Sequence, residues 1–580
     1  MTPQRARILR AVGTLAILAL YVGTASPSIL GGDNGEFATL FAESGVAHPS
    51  GYPLYTLILR VFSWVPGSTP AEGAARVTAL LGALSALAWS RAARRWGAGE
   101  GASLAAAGLY ATASLPWRLA THAEVFTLNA LLAGALVAVS GPDARWKGAR
   151  RAAALGALAG LALANHLSCV LLAPIGLEAL LRARREDGRP LRALALAPLC
   201  ALPGLATYLL LLVWARDPGE RLVWGAPTTL RALAHHVLRG DYGTTRLSSS
   251  RVVADPAAQL AWLARSLADN TALVGLALAA LGLWAALTRA PRRPWIALTA
   301  TLLLAGPAFI TRFNITPTGV GEAVVERFHL LPLALLVPFV ARGLEVVAAR
   351  VSARPALRAF AAAGLCLALA TRAWPSVRAA HGPEVEDYLR DTLTGAAPRA
   401  VILCTGDQRT LGYPYLQRAQ GLRRDVLVID PWTLLVPGTP ERLSARLGAT
   451  IPAPVERHVN TRALAAAALS TGRPVYLADP FSQAILRTFP SHPEGAMIRL
   501  LPVGTAPPPL AALVAETLAR YAAFRVTPAG GPLGAWQRNA REDYLTSLTA
   551  LTHAALRESR ADLAAALTAR ARVIAPWRAW

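Results

Sequence analysis

The sequence predicts a mainly α-helical, polytopic membrane protein with a small α/β domain after its last apolar block. Three observations carry that prediction. Apolar residues make up 54% of the 580 residues and charged residues only 16%, less charge than a water-soluble chain of this size carries. The apolar residues fall in blocks as far as about Trp374, and the chain beyond is mixed. Arginines lie between the blocks, and Lys147 is the only lysine.

A crossing helix needs roughly 20 apolar residues. Eleven spans are expected, near residues 9–27, 73–92, 101–117, 123–140, 150–165, 167–181, 192–214, 270–288, 294–311, 328–348 and 356–374. They make 1–374 a transmembrane domain and 375–580 a soluble one. The first block also has the build of a signal peptide, with Arg5, Arg7 and Arg10 before an apolar run. Either way residue 33 falls on the same side. The net charge of +24 could suggest nucleic acid, but its placement fits membrane orientation, so no nucleic-acid partner is expected.

Basic loops face the cytoplasm. Arg5, Arg7 and Arg10 put the N-terminus inside. The alternating loops then hold Arg91, Arg94 and Arg95; Arg145, Lys147, Arg150 and Arg151; Arg182 to Arg192; Arg289, Arg292 and Arg293; and Arg342 to Arg358. Every loop expected inside is basic, and the C-terminal domain falls outside. Trp96, Trp117, Trp146, Trp214, Trp295 and Trp374 at span ends are expected at the interface.

The loops expected outside hold the unusual polar residues. The first reads GGDNGEFATLF…AHPSGYPLY. Asp33 and Glu36 share a face on one helical turn. Phe37, Leu40 and Phe41 give that turn an apolar side, as for a helix lying on the membrane. Asp33 could equally cap the helix. His48 to Pro53, with Tyr52, is a rigid turn. Leu54 to Val65 is too short to span. Further outside segments carry His122 and Glu124; Asn165 and His166; His235, His236, Arg239, Asp241 and Tyr242; and Arg312, Glu322, Glu326, Arg327 and His329. Each has a bland reading: a lone histidine at a span end is often interfacial, and Glu326 with Arg327 reads as a solvated pair. Their convergence on one face is the functional signal.

Absences narrow the field. No GxxxxGK phosphate loop indicates an ATP-driven pump. No CxxC pair accompanies Cys169, Cys200, Cys366 and Cys404, so neither a disulfide framework nor a zinc site is expected. Two carboxylates without further ligands are too few to assign a metal, so no cofactor is expected. In the tail, 400–404, 425–430 and 474–478 read as strands, and 508–523 and 536–572 as helices. GDQRT at 406–410 reads as a structural turn ahead of a ligand loop.

GGDNGEF with AHPSGYPLY resembles a family of GT-C glycosyltransferases. It has a large bacterial branch, and its eukaryotic members are transmembrane protein O-mannosyltransferases. THAEVFTLNALL, ANHLSCVLLAP, VVERFHLLP and LCTGDQRTLGYPYLQRAQGLRRDVLVID are similar to its later segments, so the resemblance spans most of 10–435. It implies an enzyme of the bacterial inner membrane. The donor would be a polyprenyl-phosphate sugar, with mannose as the analogy, and the acceptor a protein or glycan hydroxyl on the outer face. It implies inversion, with Asp33 as general base and Glu36 assisting or orienting it. Arg327, then Arg239, would meet the leaving phosphate. His48, Tyr52, His122, Glu124, Asn165, His166 and Asp241 would complete substrate binding. The alternative from another class is a transporter or flippase for a lipid-linked sugar.

Overall fold

A computed structural model describes residues 2–216, 221–243, 252–253, 255–289, 291–350, 354–456, 458–528 and 530–579. Residues 217–220, 244–251 and 254 of the long loop expected outside, 215–269, thus lie outside the described residues. The chain forms two compact units. A helical unit comprises Met1–Pro27, Pro49–Trp214 and Thr228–Arg378. A second unit comprises Ser28–His48, Ala215–Pro227 and Ala379–Trp580. Where the sequence suggested one boundary at 374/375, two segments expected in loops, Ser28–His48 and Ala215–Pro227, fold with the C-terminal domain.

In the helical unit each expected span meets helix. Among the described residues four helices are long and apolar enough to cross a membrane: Gln4–Gly23, Pro70–Arg95, Leu191–Trp214 and the one beginning at Pro355. Three more candidates are helix pairs bent at a short break, among them Ser114–Ala120 with Val125–Ser140 at 115° and Pro256–Thr271 with Val274–Thr288 at 99°. The protein is an integral membrane protein. Local chemistry fixes the ends. Thr69 caps Pro70–Arg95 through the Glu72 N–H while Glu72 reaches back to Ser68, and Arg94 and Arg95 close its last turn.

Small residues bring helices close, as lipid-embedded packing requires. Gly156 and Gly160 on Gly148–Asn165 face Ala197 and Ala201 on Pro190–Ala206. A methyl at Gly156 would fall 1.9 Å from the Ala197 carbonyl oxygen. Trp89 and Trp96 donate their indole N–H groups to the Ala130 and Val137 carbonyls, tying Pro70–Arg95 to Val125–Ser140. This corrects one expectation. Trp96, Trp117 and Trp295 are buried in protein rather than placed at the interface, because each indole packs inside the unit. Trp96 stands edge-on to Trp295 at 4.7 Å, and Trp117 donates to Thr24. Trp146 and Trp374 stay exposed.

The basic loops meet one another. Arg10 and Arg94 share Glu100, Arg95 bonds the Asp143 carbonyl, and the Gly99 N–H reaches Glu345. Arg151, counted among the basic residues of an inside loop, is fully buried and paired with Glu186 at 2.9 Å.

The second unit is built on a five-stranded sheet: β1 Val401–Leu403, β2 Leu427–Ile429, β3 Val475–Leu477, β4 Ser491–Glu494 and β5 Met497–Leu500, in the order β2-β1-β3-β5-β4. The first three are parallel, with Val401 opposite Leu427 and Val475. They are the three strands that the apolar runs predict, since strands covered on both faces need unbroken apolar sequence. Val401, Leu403, Ile429, Leu464, Val475 and Leu477 centre the core. The hairpin of β4 and β5 was not expected. Its edge strand, SHPE, carries Pro493, which only an edge tolerates. Ala535–Arg557 and Ala561–Ile574 replace the single helix expected over 536–572, and Ser559 at φ 56° makes the turn.

GDQRT is a clasp, as expected of a structural turn. Gly406 turns the chain at φ 88°. The Thr405 N–H donates to Asp479 at 3.0 Å, and Arg409 pairs with Asp479 and with Asp543 at 2.6 Å. Thr410 donates to Asp430, which also accepts from the Trp432 N–H. Burial pushes the Asp430 carboxyl from 3.8 up to about 6, against the pull of those two bonds. Its folded value thus lies above its unfolded one. The stability it lends is full below the unfolded value and is lost as pH rises through about 6. In the full chain, Asp430→Asn should shrink the fall in denaturation midpoint of the second unit between pH 5 and pH 7. An unchanged fall assigns it to other groups.

Candidate active site

Gly32 turns the chain at φ 59° into the helix Asn34–Ala42. Asp33 holds its N-cap position, but its carboxylate makes no capping bond. The bland role open to it in the sequence is therefore not the one it plays. Asn34 does the local work instead, accepting the Leu30 N–H at 2.8 Å. The helix does not lie on a membrane. Asn34 to Phe41 are all buried within the second unit, and Phe37 and Leu40 are fully so. Gly35 permits this burial. A Cβ there would sit 2.6 Å from the Leu411 carbonyl oxygen on the helix Asp407–Pro414. Gly35→Ala should lower the unfolding midpoint, at a cost of about 1–3 kcal/mol for overpacking. Thermal unfolding of the purified protein checks this; an unchanged midpoint would mean that the two helices part freely.

His48 joins the two acids. Its ring Nδ1 lies 2.6 Å from Glu36 Oε2, and its backbone N–H donates to Glu36 Oε1 at 2.9 Å. With Nδ1–H bound to Glu36, Nε2 is left facing Asp33 Oδ2 at 3.9 Å. Glu36 is 0% exposed, and both its oxygens are engaged by His48. Asp33 is 7% exposed and keeps its carboxylate close to the imidazole without a tight bond to it. Such loose geometry is usual before substrate arrives. Two more segments support the histidine. Val46 bridges Val223 in parallel fashion, and Trp224 stands edge-on to the His48 ring at 6.4 Å. Glu43 accepts the Leu222 N–H and pairs with Arg418 at 2.6 Å.

The helical unit carries a second polar cluster. Glu124 caps Val125–Ser140 through the Val125 N–H and pairs with Arg327 at 3.3 Å. Arg327 also lies over the Phe126 ring at 5.5 Å. Glu326 pairs with Arg118 at 2.6 Å, so Glu326 and Arg327 are not a solvated pair; each finds a partner some 200 residues away. His166 stacks on Tyr52 at 5.7 Å and tilts against Phe126 at 4.9 Å. Its Nδ1 takes the Ser168 N–H, which leaves Nε2 to carry the proton. Tyr52 sits at φ 44°, a strained setting for a bulky residue. Asn165 donates to the Val125 carbonyl, and its own carbonyl oxygen has no partner among the described residues. His122 bonds the Arg118 carbonyl.

The structure thus gathers Tyr52, Glu124, Asn165, His166 and Arg327 in the helical unit, and Asp33, Glu36 and His48 in the second. Arg239 and Asp241 also lie in the helical unit, near the short turn Gly240–Tyr242. Arg239 lies over Tyr242 at 5.0 Å, and Asp241 pairs with the half-exposed His235 at 2.9 Å. Sequence reasoning missed Arg118 and Trp224. Arg118 sits three residues before the THAEVF segment, inside an apolar stretch that hides it. Trp224 carries no signal in the sequence.

Helices of membrane length and a small α/β unit make the fold GT-C-like. The chain is similar in fold to ArnT from Cupriavidus metallidurans, whose crystal structure is bound to undecaprenyl phosphate, with a TM-score of 0.51, 15% identity and coverage of 88% of this chain and 100% of that one. Residues 33–187 match the family described as Protein O-mannosyl-transferase TMEM260 N-terminal domain. The mouse (Mus musculus) protein O-mannosyl-transferase TMEM260 is 30% identical over 456 residues, 74% of this chain. The chain spans 63% of that relative's length. The Dictyostelium discoideum protein of the same description is 26% identical over 245 residues, 39% of this chain and 30% of its own.

Proposed function

We propose that the protein is a membrane glycosyltransferase. It moves a sugar from a polyprenyl-phosphate donor to an acceptor hydroxyl on the extracytoplasmic face. The observation that carries this reading is Asp33: a nearly buried carboxylate at a helix start that caps nothing, set against a histidine locked by Glu36. The matched family region begins at that residue.

A hydroxyl is a weak nucleophile and gains from a base within reach. Asp33 takes the acceptor proton as the oxygen bonds to the anomeric carbon. The bond from that carbon to the phosphate oxygen breaks, and the lipid phosphate leaves with the electron pair. One displacement inverts the anomeric centre. A guanidinium suits the departing charge, and Arg327 is the candidate for it. The relatives' names support mannose and a protein acceptor; the undecaprenyl phosphate of ArnT supports the donor class. The arginines of the loops between spans support a cytoplasmic side for those loops and an outer side for the acidic loop.

The test is a reconstituted reaction. Purified protein with polyprenyl-phosphate mannose and Ser/Thr peptides should release lipid phosphate and yield a glycosylated product. Movement of intact donor across vesicles without sugar transfer would establish a flippase in its place.

A further inference from the structure

The second unit holds a cleft of about 690 Å³ that the proposed chemistry leaves without a task. Val428 of β2 and Asp430 just beyond it line one side. Open α/β sheets bind ligands outside the carboxyl ends of their parallel strands. The cleft is strongly basic: Arg221, Arg418, Arg424, Arg442 and Arg446 line it, against the carboxylates of Glu43 and Asp430 alone. Both carboxylates are engaged. Glu43 is taken by Arg418 and the Leu222 N–H, Asp430 by Thr410 and the Trp432 N–H.

Among the described residues the positive charge left over is not paired with a carboxylate in the cleft; Arg424 donates to the Gln417 and Arg418 carbonyls. Arg442 donates to the Thr439 hydroxyl at 3.0 Å, and the neighbouring Glu441 offsets part of its charge. Arg221 and Arg446 make no ion pair among the described residues. Arg442 and Arg446 are four apart on Thr439–Leu447, a spacing at which like charges repel. Burial holds both below the usual arginine range, and Arg418 adds to the effect at Arg446. The cleft also adjoins the acidic site. Trp224 lines it and packs on His48, which faces Asp33.

We propose that this cleft selects the acceptor: a Ser- or Thr-bearing polypeptide segment with carboxylate side chains near the modified hydroxyl, docked on Arg221, Arg442 and Arg446. The proposal rests on the transferase reading of Asp33. The three guanidinium groups stand on two separate elements, the 221–225 loop and the 439–447 helix. That spread suits several separate carboxylates better than one compact phosphate. Each arginine fork can take a carboxylate by two parallel hydrogen bonds. A lipid tail finds no membrane-length helix in this wall.

The experiment uses the full-length protein, polyprenyl-phosphate mannose and peptides with one threonine and acidic, neutral or basic flanks. At low salt the acidic peptide should show a KM about tenfold below the neutral one. The advantage should vanish at high salt and in Arg442→Gln/Arg446→Gln, with kcat unchanged. Equal use of all three peptides by the wild type overturns the proposal and leaves the transferase reading standing. If no peptide is glycosylated, that reading fails for polypeptides, and anisotropy of the labelled acidic peptide still decides the dock. Binding weakened by the double variant supports it. No binding, or tighter binding of a polyuronate, overturns it. Should the double variant unfold, Arg221→Gln on the exposed loop gives the same readout.

Discussion

Asp33→Asn is expected to lower kcat for sugar transfer by about 10²–10⁴-fold, the range a positioned general base contributes. The fold should survive. The substitution keeps the shape of the side chain, and no capping bond is lost because Asp33 makes none. Its effect should fall on kcat, since proton removal belongs to the transition state and not to binding. Glu36→Gln supplies the contrast. Glu36 is fully buried and accepts both the ring and the backbone N–H of His48. An amide there turns one of those bonds into two facing donors. It should lower the unfolding midpoint as well as the rate, whereas Asp33→Asn lowers the rate alone. Lipid-phosphate release and thermal unfolding, measured on both variants, check the pair. Full turnover by Asp33→Asn would remove the base assignment.

Helix was legible because apolar blocks obey a simple rule of length, and each expected span found helix; among the described residues, though, four helices, or seven with the bent pairs, have membrane length, where eleven spans were expected. The three parallel strands were legible for a similar reason, being unbroken apolar runs. The interleaving of the units was not. Nothing in the composition of Ser28–His48 says that Gly35 needs the backbone of Leu411 against it, or that Glu43 waits for Arg418. Contacts across 375 residues leave no local pattern. The same limit governed the tryptophans. An indole near a span end reads as an anchor, and only the carbonyl of Val137 shows that Trp96 faces inward. In the acidic loop, both carboxylates were visible in the sequence but their division of labour was not. It is set by which one His48 bonds, and that depends on a turn twelve residues on. Charge pairs fared worst. Glu326 and Arg327 are neighbours in sequence and partners of different residues in space.

Those distant partners make the second large effect. Arg327→Met should destabilise the helical unit by about 3–5 kcal/mol, because it leaves Glu124 buried without its cation. Glu124 is 3% exposed and its other oxygen is already committed to the Val125 N–H. Glu124→Gln/Arg327→Met removes both charges, and replacing a buried pair by neutral groups is often neutral for stability. The double variant should therefore regain most of the lost unfolding midpoint. Activity separates structure from chemistry. If Arg327 serves the departing phosphate, the stable double variant stays slow, with the deficit in kcat. If Arg327 only neutralises Glu124, activity returns with stability. Thermal unfolding and steady-state transfer on the two single variants and the double close the cycle. A double variant as active as the wild type would hand the leaving-group role to another cation, and Arg118, already paired with Glu326 at 2.6 Å, is the next to be replaced.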